Sequence, residues 1–155
     1  MKIREAKLEE VGQIADLWQE LALHEKKIDP TYSGITKNAR GKFLRFIKKK
    51  IKDRNSRLLV AIVDDKITWY IFGRVKERPP VSKLKRIGYI SDCFVIEEFR
   101  GKGIGGKLVQ RMLAWFRTKK LNHVELGVIS KNKLGLTVWK NLGFKEYGKI
   151  MRKKI

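Results

Sequence analysis

The run Gly101-Lys102-Gly103-Ile104-Gly105-Gly106-Lys107-Leu108 places four glycines in six residues. Each glycine inside a helix or strand costs about 0.5–1 kcal/mol, so such a run marks a backbone that must turn tightly or approach a ligand closely. Upstream, Ile87–Val95 reads as a strand. Downstream, Ile104, Leu108, Met112 and Trp115 recur at helical spacing, flanked by Val109, Leu113 and Phe116. A glycine turn between a strand and a helix N-terminus points backbone N–H groups and about half a positive charge at one spot. With Arg100, Lys102 and Lys107 beside it, the segment predicts a pyrophosphate cradle.

The rest of the chain reads as alternating elements. Ile3–Ala6 predicts a short opening strand. Leu8, Val11, Ile14, Ala15, Trp18, Leu21 and Ala22 predict a helix ending near 24–27, ahead of Asp29-Pro30. Phe43, Phe46, Ile47 and Ile51 stripe a second, strongly basic helix, Lys42–Arg54. Arg57–Val63 and Ile67–Val75 form a hairpin around Asp64-Asp65, and Pro79-Pro80 break the loop that follows. Val124–Val128 is a strand, Leu134–Asn141 a short helix stopped by Gly143, and Phe144–Met151 a final strand. The fold class is α/β of the α+β type: one domain over residues 1–155, with a mixed, mostly antiparallel sheet flanked by helices.

Three phosphate motifs overlap the cradle. Gly101, Gly103 and Gly106 satisfy the dinucleotide fingerprint, with Glu125 near the offset of its ribose-binding acid. Residues 97–100 intervene after the strand, however, and 49 residues after Gly106 are too few for a doubly wound sheet. Gly101 and Gly106-Lys107 match a P-loop, but Leu108 stands where that motif needs a magnesium-binding hydroxyl. The third reading explains more residues. Arg100, Gly103 and Gly105 fit R/Q-x-x-G-x-G/A between a strand and a helix. Asn132, Gly143 and Phe144 fit N-x-x-A-x-x-x-Y-x-x-x-G-F at the right offsets. Both patterns, and the order of elements, resemble the GCN5-related N-acetyltransferase (GNAT) family over nearly the whole chain. Gly135 stands at the usual alanine, and Trp139 in the slot where many members carry a tyrosine.

The resemblance implies an acyl-CoA N-acyltransferase-like fold and transfer of an acetyl group from acetyl-CoA to a primary amine by direct attack. It implies that the backbone and side chains of Arg100, Gly101, Lys102, Gly103, Ile104, Gly105, Gly106 and Lys107 hold the pyrophosphate. Phe94, Val95 and Ile96 would offer main-chain groups to pantetheine, Asn132 would lie near that arm, and Trp139 would pack beside the thioester. An indole N–H donates a hydrogen bond but is no acid near neutral pH. A thiol of pKa about 8.5 leaves tolerably without full protonation. An ammonium must lose a proton before it attacks. Asp92 is the first candidate base; Tyr89 and Tyr147 are alternatives as relay or replacement acid. His24 and Glu25 sit where the family lines its acceptor site. Each of these residues also has a plain structural reading.

Lys and Arg number 37 against 16 Asp and Glu, a net charge of +21. Residues 37–57 are the densest stretch, ten bases against Asp53. Such charge calls for an anionic partner, although Lys-rich, cysteine-poor composition is also thermophile-like. It favours an acidic peptide or protein as amine acceptor over polycationic acceptors, and it allows nucleic acid as a partner. A non-catalytic nucleic-acid-binding protein and an acetyl-CoA sensor are the competing functions. One cysteine, Cys93, leaves no internal disulfide and no metal site. With no membrane-length apolar run and no apolar leader at Met1–Glu5, a cytoplasmic monomer or homodimer is expected.

Overall fold

In the computed structural model, which describes residues 1–31 and 34–155, the elements run β1 (Lys2–Glu5), α1 (Val11–Ile28), α2 (Ala39–Lys50), β2 (Ser56–Val63), β3 (Lys66–Glu77), β4 (Arg86–Val95), α3 (Ile104–Thr118), β5 (Val124–Leu126) and α4 (Lys133–Asn141). Short 3-10 turns occupy Leu8–Glu10 and Glu97–Phe99. The strands form one sheet in the order β1-β2-β3-β4-β5. All pairs are antiparallel except β4 with β5. This is the mixed, mostly antiparallel sheet expected from the sequence.

The β2–β3 hairpin turns on Asp64 and Asp65, at φ 48° and 58°. Aspartate tolerates that left-handed region better than most residues, and such a turn matches the twist of paired strands. β3 is the central strand and is buried from Ile67 to Gly73, which explains its unbroken apolar run. Its two faces meet two cores. α1 and α2 cover Val60, Tyr70, Phe72 and Phe94, with Ile14 and Ile47 fully buried between them. There Trp18 stacks on Phe43 with ring centroids 4.4 Å apart. α3 covers the other face, setting Leu108, Met112 and Phe116 against Trp69, Ile71 and Ile90.

Two glycines permit that second packing. A Cβ on Gly73 would collide with Met112, and one on Gly88 would stand 2.8 Å from the Phe116 ring. Gly88→Val is therefore expected to destabilise the protein by about 1–3 kcal/mol through overpacking. A lower urea midpoint with unchanged slope checks this.

Beyond shifts of one to three residues at other ends, the structure departs from the sequence reading at three places. The basic helix ends at Lys50 rather than Arg54, because the Asp53 carboxylate accepts a hydrogen bond from the Asn55 N–H at 2.9 Å and holds a turn there. β5 stops at Leu126 rather than Val128. Residues 144–151 do not form the final strand. A three-residue β5 offers little edge to pair with, and Gly148 interrupts the alternation. Tyr147, Ile150 and Met151 are consequently left 87–89% exposed.

Candidate active site

The sheet splits beside β5. β4 pairs with it only through Gly88↔Val124, Tyr89↔Glu125 and Ile90↔Leu126. β5 then ends, while β4 continues to Val95. The β3–β4 register shifts at the same place: Gly73 opposes Ile90 and Phe72 opposes Asp92, leaving Ser91 as the extra residue. A bulge of this kind bends a strand and re-aims its side chains. From Asp92 to Val95, β4 is paired on its β3 side and, among the described residues, has no strand pairing on the other. Such an edge can hydrogen-bond an extended ligand. Ile96 offers less than its neighbours: its N–H donates to Thr68 O at 3.1 Å and its carbonyl accepts from the Phe99 N–H at 3.0 Å.

The glycine turn lies between the end of β4 and α3. Gly101 and Gly103 lie at φ 75° and 71°, with Gly103 as the N-cap of α3. A Cβ at either position would meet nothing within 4 Å. The backbone is thus bare on the side where a ligand would lie. The first-turn N–H groups of an α-helix have no acceptors inside it. Arg100 folds back, its Nε donating to Val95 O at 3.3 Å. Lys102 lies 5.1 Å from the Phe99 ring centroid. Bare glycine backbone, helix N-terminus and lysines together suit a pyrophosphate, and the unpaired β4 edge suits the amide-bearing arm of coenzyme A.

Asp92 is the second residue past the split. The pleat sends it to the face of Tyr70 and Phe72, the side covered by α1. Burial, reinforced by the charge of Glu25 on α1, raises its carboxyl to about 7 against an opposing pull from Arg74. Burial raises Glu25 as well. The Tyr70 hydroxyl on the same face is buried and has no hydrogen-bond partner among the described residues; burial, then the charge of Asp92, holds its pKa well above the ordinary value. Asp92, Glu25 and Tyr70 are therefore electrostatically linked. Two of the three are candidates from the sequence. Tyr70 escapes notice there because it sits in the apolar run of β3.

The other candidates have surroundings of their own. Tyr89 lies on β4, three residues before Asp92, with Arg74 and Lys76 over its ring at 5.3 and 4.9 Å. His24 is half-buried on the last turns of α1. Trp139 packs edge-on against Phe144 with centroids 5.3 Å apart. It lines a cleft of about 230 Å³ together with Leu126, Leu136 and the exposed Tyr147. Asn132 caps α4, its Oδ1 accepting from the Gly135 N–H at 2.9 Å. Asn132→Ala should cost about 1 kcal/mol of stability, read as a shifted denaturation midpoint. A Cβ at residue 135 would stand 2.7 Å from that same side chain, so glycine at this position keeps the cap in place. Burial raises the Cys93 thiol to about 12, which withholds the thiolate that a covalent cysteine route requires. Glu125 pairs with Arg78 at 3.1 Å and so does not serve as a free ribose-binding acid.

The model of the acetyltransferase (GNAT) family matches residues 15–144. The chain belongs to this family. An N-alpha-acetyltransferase of Sulfurisphaera tokodaii is 30% identical over 97% of this chain and 83% of its own length. The BH1408 protein of Bacillus halodurans, solved as a Phe-to-Arg mutant, superposes with TM-score 0.87 at 22% identity, covering 100% of this chain and 99% of that one. A predicted acetyltransferase of Clostridium acetobutylicum, solved with acetyl-CoA, superposes with TM-score 0.81 at 19% identity, covering 99% and 95%. The GNAT fold is thereby established, and the chain is an acetyl-CoA-dependent N-acyltransferase rather than a non-catalytic basic protein.

Proposed function

We propose that this GNAT protein acetylates the α-amine at the N-terminus of a polypeptide, with Asp92 as general base. The observation that carries the reading is the position of Asp92, just past the β4–β5 split and facing Glu25 and the buried Tyr70 hydroxyl. The similarity to an N-alpha-acetyltransferase supports it.

The acid–base match favours an α-amine. An α-ammonium has a pKa of about 7.7–8.0 and a lysine ε-ammonium about 10.4. Transfer to a carboxylate near 7 costs the first about 1 kcal/mol and the second about 4–5 kcal/mol. Asp92 takes the ammonium proton, and the freed amine attacks the thioester carbonyl, with the thiolate departing. Burial, reinforced by the charge of Glu25, holds Asp92 basic enough to accept that proton near neutral pH. The glycine turn and the free β4 edge position acetyl-CoA, which supplies the activated acetyl group. Trp139 closes the side near β5 without serving as an acid. The net charge of +21 steers acidic polypeptides toward the enzyme.

Thiol release from acetyl-CoA in the presence of matched acidic and basic peptides with free N-termini tests the reading. Faster turnover of the acidic set is expected, and faster turnover of the basic set contradicts the charge argument. Glu25→Gln removes the charge that helps raise Asp92. The rising limb of the kcat/KM–pH profile should then move to lower pH, and an unmoved limb would separate Glu25 from the base.

A further inference from the structure

α2 carries a cationic face with no role in acetyl transfer. Lys42, Arg45, Lys48, Lys49, Lys52 and Arg54 are all exposed. The first four lie on α2 and the last two in the turn that follows. None makes an ion pair with a carboxylate among the described residues; the neighbouring Arg40 and Lys50 are paired with Asp16 and Asp53. Glu9 shares a shallow groove with Lys48 and Lys52 and pairs with Lys7 at 3.8 Å.

This arrangement costs the helix stability. Like charges three and four residues apart, such as Arg45–Lys48, Arg45–Lys49 and Lys48–Lys52, oppose it by a few tenths of a kcal/mol each. No acid in the first turn and no side-chain cap offsets that. Most of the apolar stripe of α2 is already spent: Phe43 and Ile47 are buried in the core, and Phe46, though 44% exposed, packs edge-on against Phe72, which leaves a single half-open ring and not a continuous apolar face to lay into a bilayer. What remains is a row of charges about 15 Å long from residue 42 to 52, at 1.5 Å per helical residue. One nucleic-acid strand presents a phosphate about every 3.4 Å, so the row spans four to five of them.

We propose that the outer face of α2 binds the phosphodiester backbone of nucleic acid, independently of sequence. Binding is electrostatic and does not use the acetyl-transfer site. For about five phosphate contacts, affinity for a duplex should fall about 500-fold between 50 and 200 mM salt.

The test is fluorescence anisotropy of the full chain with a mixed-sequence RNA duplex, a DNA duplex and a single-stranded oligothymidylate, across that salt range. Anionic phosphatidylglycerol vesicles serve as the competing surface. One variant replaces Arg45, Lys48, Lys49 and Lys52 with glutamine, a good helix former. A second replaces Lys145, Lys149, Lys153 and Lys154, removing the same charge elsewhere. The expected result is steep salt dependence in the wild-type protein on at least one nucleic acid. The α2 variant should lose about 100-fold or more at low salt and most of the salt slope, with its acetyl transfer to an uncharged peptide, which electrostatic steering does not affect, unchanged. The second variant should lose less than about 5-fold. Comparing the three oligomers identifies the form bound. Equal losses in both variants, salt-insensitive or undetectable binding, or binding to vesicles alone would each overturn the proposal.

Discussion

Asp92→Asn is expected to cut kcat/KM for a peptide α-amine by about 10²–10³, in the range that a positioned general base contributes. The acid limb near pH 7, set by the raised Asp92 carboxyl, should disappear from what activity remains. The same change should stabilise the fold at high pH. An unfolded aspartate titrates near 3.9, whereas the folded carboxyl titrates at about 7. Between those values the folded state holds more protons than the unfolded one, so stability falls as pH rises through the window. Above pH 7 the charged form is penalised in full, about 4 kcal/mol. The asparagine variant escapes this penalty. Its urea midpoint should exceed that of the wild-type protein at pH 8, and the gap should close toward pH 4. A variant that is slow yet tougher at pH 8 fits a base held in a costly environment. A variant that is slow and weaker at every pH would make Asp92 a structural residue.

Gly103→Val is expected to raise the KM for acetyl-CoA at least 100-fold. Gly103 stands at φ 71°, a conformation that a β-branched residue adopts only with strain of roughly 1–2 kcal/mol. The new side chain would also project into the open space beside the turn. Strain and obstruction both fall on the N-terminus of α3, where the pyrophosphate would be held. Lys102→Ala with Lys107→Ala removes charge but leaves that backbone intact. Its smaller loss, about tenfold, should be screened by salt. Calorimetric titration with coenzyme A separates the two: the valine variant's defect should persist at high salt, and the double alanine variant's should shrink. Equal binding by the Gly103→Val variant and the wild-type protein would remove the cradle from the account.

The parts of this molecule written in local chemistry were legible in the sequence. The Asp64-Asp65 turn, the helix stop at Gly143 with φ 89°, and the glycine turn ahead of α3 all follow from what single residues do to a backbone. The stripe of Ile104, Leu108, Met112 and Trp115 likewise located α3. What depended on distant partners was not legible. The alternation in 144–151 suggested a strand, but a strand needs a neighbour, and β5 ends too soon to be one. The bulge at Ser91 arises from a register shift against β3, which leaves no mark in the β4 sequence. That bulge is what brings Asp92 to the face of Glu25, so the linked group was visible only as two unconnected candidates. Tyr70 was hidden for the same reason: its role depends on which residues face its hydroxyl.

The most direct test of acetyl transfer to an α-amine is a single peptide carrying both a free N-terminus and one internal lysine. It is incubated with the enzyme and acetyl-CoA at pH 7.5, and the product is mapped by fragmentation in the mass spectrometer. The account predicts one acetyl group on the terminal nitrogen, with Asp92→Asn slowing its appearance. Acetylation of the lysine ε-amine in preference to the terminus would contradict it.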